Sequence, residues 1–471
     1  MLVLSLAALA AFAPFVYPLD VPPEWARGGQ LYAKFMHKQN FESREGLTEE
    51  VLQLPLDHFG KQDGQNRTIG IRYWVDETCY SKGSPVFVKM GGEGAAGPSF
   101  CDSRASKHSA LVLAVEHRFY GKSVPTGSEP LSLENLQYLT VEQNLADTKA
   151  ILDHVTAKYK AGTGFAFGGS YSGATCAWFR LTYPESVSGC ISESGVVNAI
   201  LNFTKFDYQV STALSKKSLS CRSDIVAAFA AVDRQFSKGR GSEIKAMFNA
   251  NNLNGSQNGD PDFMYAIADG VAMMDQYGSK DEVCAHVALL PASPSDDDRI
   301  SNLNEMIIKH YGNDFVKGCF YDSDCIKNKV VGASQGVGDR SWRWQKCSEL
   351  AYLQTAPDEN RARSTLLTLD ALVQQCEYMF NGTLPDTTGI NQRYGGDQPK
   401  GSQVVFINYS DDPWLQASVV VSQSEDLPVC MTTCDGCGHC GAGVPSDVGA
   451  KCESLADSYL DKWLAAGAES R

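Results

Sequence analysis

FAFGGSYSGATCAWFRLTY, residues 165–183, changes its pattern twice. Residues 165–167 form a short apolar run of strand character, and Gly168 and Gly169 interrupt it. From Tyr171 to Tyr183 the segment carries Ala, Trp and Leu in the manner of a helix. Ser170 stands at the junction. A strand that turns sharply into a helix lifts the turn residue's side chain above the sheet, and the residues two before and two after must be small because the backbone crosses itself closely. Gly168 meets that need; Ser172 stands where glycine is usual, and Gly173 follows. The strict G-x-S-x-G pattern occurs instead at Gly332-Ala333-Ser334-Gln335-Gly336, but only a short run over 329–331 precedes it and GVGDRSW is a poor helix start. Ser170, not Ser334, is therefore the candidate nucleophile.

Working outward, RTIGIRYW (67–74), PVFVKM (85–90) and ALVLAV (110–115) have strand length and apolar content, as does the stretch 187–191. Between them lies a helical pattern over 140–159, opened by Thr140 and Gln143 as a capping box. Strands alternating with helices predict an α/β fold with a mostly parallel sheet covered on both faces. The segment 201–395 differs. It is rich in Ala, Asp, Asn, Lys and Ser, with helical patterns over 224–236 and 300–310 and loops over 251–262 and 291–298. Strand character returns with QVVFI at 403–407. The middle reads as a helical insertion, and 45–200 and 396–471 as the two parts of one α/β domain. No internal repeat is visible.

That layout is the one expected of an α/β-hydrolase, in which the nucleophile is followed in the chain by an Asp or Glu and then a His. The His takes the serine proton, and the acid fixes its tautomer and stabilises the imidazolium. Of eight histidines only His439 lies beyond 403–407, and NYSDDPW follows that strand directly. Pro413 restricts the residue before it, which selects Asp412 and leaves Asp411 as a flanking carboxylate outside the triad. An oxyanion hole needs two backbone N–H groups. Tyr171, after the nucleophile, supplies one, and Gly92 in KMGGEGAAGP after an early strand supplies the other.

Composition sets the compartment and excludes some partners. The chain of 471 residues carries a net charge of -14, against nucleic acid or an anionic membrane as partner. MLVLSLAALAAFAPFVYPLD opens the sequence as an uncharged apolar run broken by Pro14 and Pro18, the form of a signal peptide over 1–18, and no other segment is apolar for long enough to anchor the chain in a membrane. Fifteen cysteines suit an oxidising compartment, and their odd number leaves at least one thiol over or paired to another chain. Cys430, Cys434, Cys437, Cys440 and Cys452 crowd the His439 loop and are expected in disulfides there. The spacing Cys434-x2-Cys437-x2-Cys440 with His439 also suits zinc, but secreted thiols are oxidised and His439 is wanted as base, so no metal and no cofactor are expected. Sequons at Asn66, Asn202, Asn254 and Asn381 are candidate glycosylation sites, whereas Asn408 ends an apolar strand and is expected to be buried.

Several longer segments carry a resemblance. LPLDHF (54–59), IRYWV (71–75), GGEG (91–94), EHRFYGKS (116–123), GGSYSG (168–173), AWFRLTYPE (177–185), RSWRWQKCSE (340–349), DDPW (411–414) and GHC (438–440) resemble the serine peptidase family of prolyl carboxypeptidase, dipeptidyl peptidase II and thymus-specific serine protease, with GGEG and GGSYSG nearest the thymus-type branch. The resemblance implies an α/β-hydrolase domain with an inserted helical cap. It implies a secreted or lysosomal serine peptidase that forms an acyl-enzyme on Ser170, with Asp412 and His439 in support, and that cuts after proline or small residues. Where the family has an acidic residue soon after the His-Cys pair, GAGVPSD follows here, so the base loop is expected to be shaped differently. An esterase or lipase on the same fold is the alternative, since fold does not fix substrate. A non-catalytic binding protein is disfavoured by the intact Ser, Asp and His.

Overall fold

The computed structural model describes residues 47–60, 66–330 and 338–469. The leader expected over 1–18 and the motif around Ser334 lie outside the described residues. The strands are β1 (Glu50–Pro55), β2 (Thr68–Asp76), β3 (Val86–Lys89), β4 (Leu111–Val115), β5 (Gly164–Gly169), β6 (Val187–Glu193), β7 (Ile200–Asn202), β8 (Ala351–Leu353), β9 (Val404–Tyr409) and β10 (Val429–Thr432). Eight of them form one sheet in the order β1-β2-β4-β3-β5-β6-β9-β10. The pairs β1–β2 and β2–β4 are antiparallel, and every pair from β4 to β10 is parallel.

The parallel part is apolar because helices cover both of its faces. β4 and β9 are buried at every position. Alternate residues of β3 point into different cores, Val86 and Val88 toward one and Phe87 toward the other. The helix Val141–Tyr159 fills the first side with Ile151, Leu152 and Val155; Leu460 and Trp463 of the helix Ser446–Glu469 fill the second. The expected capping box is half present. Thr140 accepts from the Gln143 amide at 3.3 Å, but the Gln143 side chain turns away, donating to Asp57 at 2.7 Å and accepting from His58 N at 2.9 Å. Gln143 thereby ties the chain leaving β1 to the helix start.

Between β6 and β9 the described chain adds no strand to this sheet. It builds helices instead, among them Thr204–Lys217, Leu219–Ser237, Gly259–Gln276, Lys280–Val287 and Asp296–Tyr311. The patterns at 224–236 and 300–310 fall inside the second and last of these. β7 and β8 pair parallel as a separate two-stranded sheet at the base of this insertion. β1, β7, β8 and β10 were not anticipated. They are short or half exposed, and β7 and β8 pair across about 150 residues of chain, so periodicity alone does not mark them.

Candidate active site

The turn that carries the candidate nucleophile is built by sterics. Ser170 sits between β5 and the helix Tyr171–Thr182 with φ 58° and ψ -129°, in a region that side chains rarely adopt. It is held there by its N–H, which donates to Glu193 O at 2.9 Å, and by its carbonyl, which accepts from Ala174 N at 3.0 Å. A Cβ on Gly168 would lie 2.1 Å from the Ser172 carbonyl oxygen, so glycine is obligatory there. Ser172 replaces the usual second glycine at no cost. Its hydroxyl accepts from Gly169 N at 3.0 Å and donates to Gly169 O at 2.7 Å, closing the turn with its own side chain.

The candidate acid and base arrive from the ends of neighbouring strands. Asp412 follows β9 and is fully buried, its Oδ1 accepting from Trp414 N at 2.8 Å. His439 follows β10 and is also fully buried, and its Nδ1 lies 2.8 Å from both Asp412 carboxylate oxygens. Burial alone would depress the imidazole. The Asp412 charge overrides that effect, with Cys440 adding to it, and holds His439 well above the ordinary histidine range.

Asp411 is more than a flanking carboxylate. It is completely buried, and Lys216 and Lys280 of the helical insertion both reach it, Lys280 at 2.6 Å. Its Oδ2 accepts from Gly436 N at 2.8 Å, and its own N–H donates to Cys437 O at 3.0 Å. Lys280 continues to Asp435 at 2.5 Å. One carboxylate thus joins the insertion to the loops that carry Asp412 and His439. Its neighbour along the chain gave no sign of this, because the partners come from three distant segments.

Tyr171 opens its helix, so its N–H belongs to the first turn and lies outside the intrahelical ladder. The loop after β3 lies against the nucleophile turn, since a Cβ on Gly92 would meet Ser172 Cβ at 3.5 Å, an ordinary contact. The sterically required glycine is Gly91, where a Cβ would come within 2.5 Å of both His117 N and Val115 O. Ser170, Tyr171 and Trp414 line a cavity of about 60 Å³ together with Glu93 and with Asp269, Trp342 and Lys346 from the insertion. Sequence reasoning passed over Glu93 as part of a glycine run. Burial pushes its carboxyl up to about 7.

The described residues hold seven disulfides, which take up fourteen of the fifteen cysteines. Around the base loop the pairs are Cys430–Cys452 and Cys434–Cys437. Cys440 was expected in a disulfide as well and is not; it remains a buried thiol beside His439. The zinc-like spacing is thus spent otherwise, with two of its thiols joined to each other and His439 Nδ1 on Asp412. Asn408 is buried as expected, its amide donating to Val419 O at 2.7 Å. Asn66, Asn202, Asn254 and Asn381 are exposed. No helix among the described residues is long and apolar enough to cross a membrane.

A mixed sheet of this strand order, with a strained serine at the tip of β5 and an Asp and a His after its late strands, defines an α/β-hydrolase with a helical insertion between β6 and β9. Comparison with known proteins then gives the lineage. The model of the family described as serine carboxypeptidase S28 matches residues 54–451. The chain is 31% identical to a probable serine protease EDA2 of Arabidopsis thaliana over 82% of this chain and 78% of that one. It is 27% identical to the human (Homo sapiens) thymus-specific serine protease over 84% and 82%, and 26% identical to the lysosomal Pro-X carboxypeptidase of Mus musculus over 82% of each. The chain belongs to the serine carboxypeptidase S28 family, and it is a serine-type peptidase.

Proposed function

We propose that Ser170, His439 and Asp412 are the catalytic triad. Ser170 Oγ attacks the peptide carbonyl while His439 takes its proton. The tetrahedral oxyanion is received by the N–H groups of Tyr171 and Gly92. His439 returns the proton to the leaving amine as the C–N bond breaks, and water repeats the sequence to release the acid from the Ser170 ester. The observation that carries this assignment is the strained φ of Ser170 at the strand-to-helix turn, beside a loop in which His439 is held on Asp412. A fluorophosphonate probe tests it. Wild type and Ser334→Ala should be labelled and Ser170→Ala should not; label persisting in Ser170→Ala would refute the assignment.

The small, largely aromatic cavity beside Ser170 favours proline or a small residue on the acyl side, and a relative bears the name Pro-X carboxypeptidase. Digestion of a peptide library should show cuts mainly after such residues; cuts mainly after Arg or Lys would remove this preference. Residues 201–395 are read as a cap over the site, and 1–18 as a signal peptide. Secretion or delivery to the lysosome fits the disulfides and relatives named as extracellular and as lysosomal. The exposed sequons Asn66, Asn202, Asn254 and Asn381 would carry N-glycans there.

A further inference from the structure

Tyr171, the residue after Ser170, is anchored through its side chain to the helical insertion. It is fully buried, and its N–H is one of the two proposed oxyanion donors. Its phenol hydroxyl lies 2.6 Å from Gln345 Nε2 and 3.1 Å from His117 Nε2. Gln345 ends the helix Gly338–Gln345 of the insertion, 174 residues further along the chain, and is itself fully buried.

The chemistry of the partners fixes which way each hydrogen points. His117 Nδ1 is 2.7 Å from the Arg118 carbonyl oxygen, which can only accept, so Nδ1 carries the proton. Burial lowers His117 to about 4, so the ring is neutral and Nε2 is an acceptor. The Tyr171 hydroxyl therefore donates to His117, and its oxygen receives a Gln345 N–H. Gln345 Oε1 in turn accepts from Tyr120 OH at 2.6 Å, and the Gln345 side chain also bonds the Glu349 carboxyl. A flipped amide would set its oxygen against the Tyr171 oxygen, whose hydrogen is already given to His117.

This network acts on the peptide that carries the oxyanion donor. Ser170 holds a strained φ of 58°, so the peptide joining it to Tyr171 would relax by turning. Turning it must carry the Tyr171 ring along. That ring packs against Trp342 with centroids 5.2 Å apart and is tied at its far end by the hydroxyl. Buried hydrogen bonds in a low dielectric resist such a motion. Trp342 belongs to the same helix as Gln345, and Ser341 of that helix donates to Phe119 O at 2.8 Å, which fastens it beside His117 and Tyr120.

We propose that Gln345 is a positioning residue. Through the Tyr171 hydroxyl it holds the Tyr171 N–H on the oxyanion, so that the insertion takes part in building the oxyanion hole. The proposal rests on Ser170 as nucleophile.

The test uses the full-length protein with Gln345→Met, Tyr171→Phe and the two together. For each, kcat, KM and the rate of fluorophosphonate labelling are read, with thermal unfolding alongside. Gln345→Met keeps the length of the side chain and removes its hydrogen bonds; Tyr171→Phe removes only the hydroxyl. A donor displaced, not deleted, predicts a loss in kcat and in labelling rate on the order of 10-fold, with KM within about twofold of wild type. The double variant should lose no more than Gln345→Met alone, because Tyr171→Phe then has no link left to break. Tyr171→Phe stands as the test if Gln345→Met does not fold. A lower melting temperature with kcat and labelling rate unchanged would show a bond that only stabilises the fold, and would overturn the proposal. So would a rise in KM at unchanged kcat, or losses that multiply in the double variant. Wild type that takes no label at Ser170 would instead remove the nucleophile, and this proposal with it.

Discussion

Asp411 and Asp412 are adjacent, identical in type and fully buried, yet their partners set them different tasks. Asp412 faces His439 Nδ1 and has Trp414 N behind it. Asp412→Asn should fold and lose turnover on the order of 10⁴-fold, because the amide no longer holds the right tautomer or offsets the imidazolium charge. The same change has a sign in pH. Burial lowers the His439 pKa and the Asp412 charge raises it, so removing that charge moves His439 down. His439 must be neutral to take the serine proton, and the acid limb of kcat/KM in the residual activity should therefore shift to lower pH; a shift upward would refute the assignment. Asp411→Asn should show itself in stability instead. It takes away one of the two carboxylates paired with the buried Lys280 ammonium, Asp435 remaining at 2.5 Å, together with the partner of Lys216, at a cost of about 2 kcal/mol. Denaturant titration of both variants checks this, and equal stability of Asp411→Asn and wild type would contradict it.

The element that sequence read most directly is the β5–turn–helix unit, because its requirements are local. A residue at positive φ, a glycine two before it and a small residue two after it are all visible within six positions. Ser172 departs from the usual pattern, and its hydroxyl restores the turn through Gly169. The loop after β3 was legible only as a glycine run. Its glycines are not equivalent, because Gly91 abuts the end of β4 whereas Gly92 has room for a side chain over Ser172. Gly91→Ala should cost about 2 kcal/mol through overpacking against backbone, and Gly92→Ala should change stability by well under about 1 kcal/mol. Thermal unfolding of the two variants distinguishes them, and the reverse order would mean that the loop is seated differently. β1 and β10 escaped notice because an edge strand is defined by the strand it pairs with: β1 pairs only with β2, and β10 only with β9.

Across the whole molecule, several buried carboxyls are protonated more readily than in the unfolded chain. Burial raises Glu93 and Glu349 from 4.5, and Asp262 from 3.8, each to about 7. Between pH 4.5 and 7 the folded protein keeps protons on these groups that the unfolded chain releases, so stability falls as pH rises through that window. His117, depressed by burial to about 4, and His286, also lowered by burial, act in the opposite sense, whereas Glu193, Asp207, Asp269 and Asp275, all raised by burial, act with the first three. Stability should therefore fall between about pH 5 and 7.5, read as a lower denaturation midpoint at the higher pH; a rise instead would contradict the balance of buried groups. The sequence by itself determined the alternation of strands and helices, the serine at its turn, and the Asp-Pro and the last histidine that follow a late strand. Each of these is set by steric rules that act over a few residues or by order along the chain. The tertiary structure alone decided how cysteines pair, leaving Cys440 a thiol, why Asp411 is buried between two lysines of the insertion, and that Glu93 faces the cavity of Ser170. Those properties are contacts between segments far apart in the chain, and they exist only once the chain has folded.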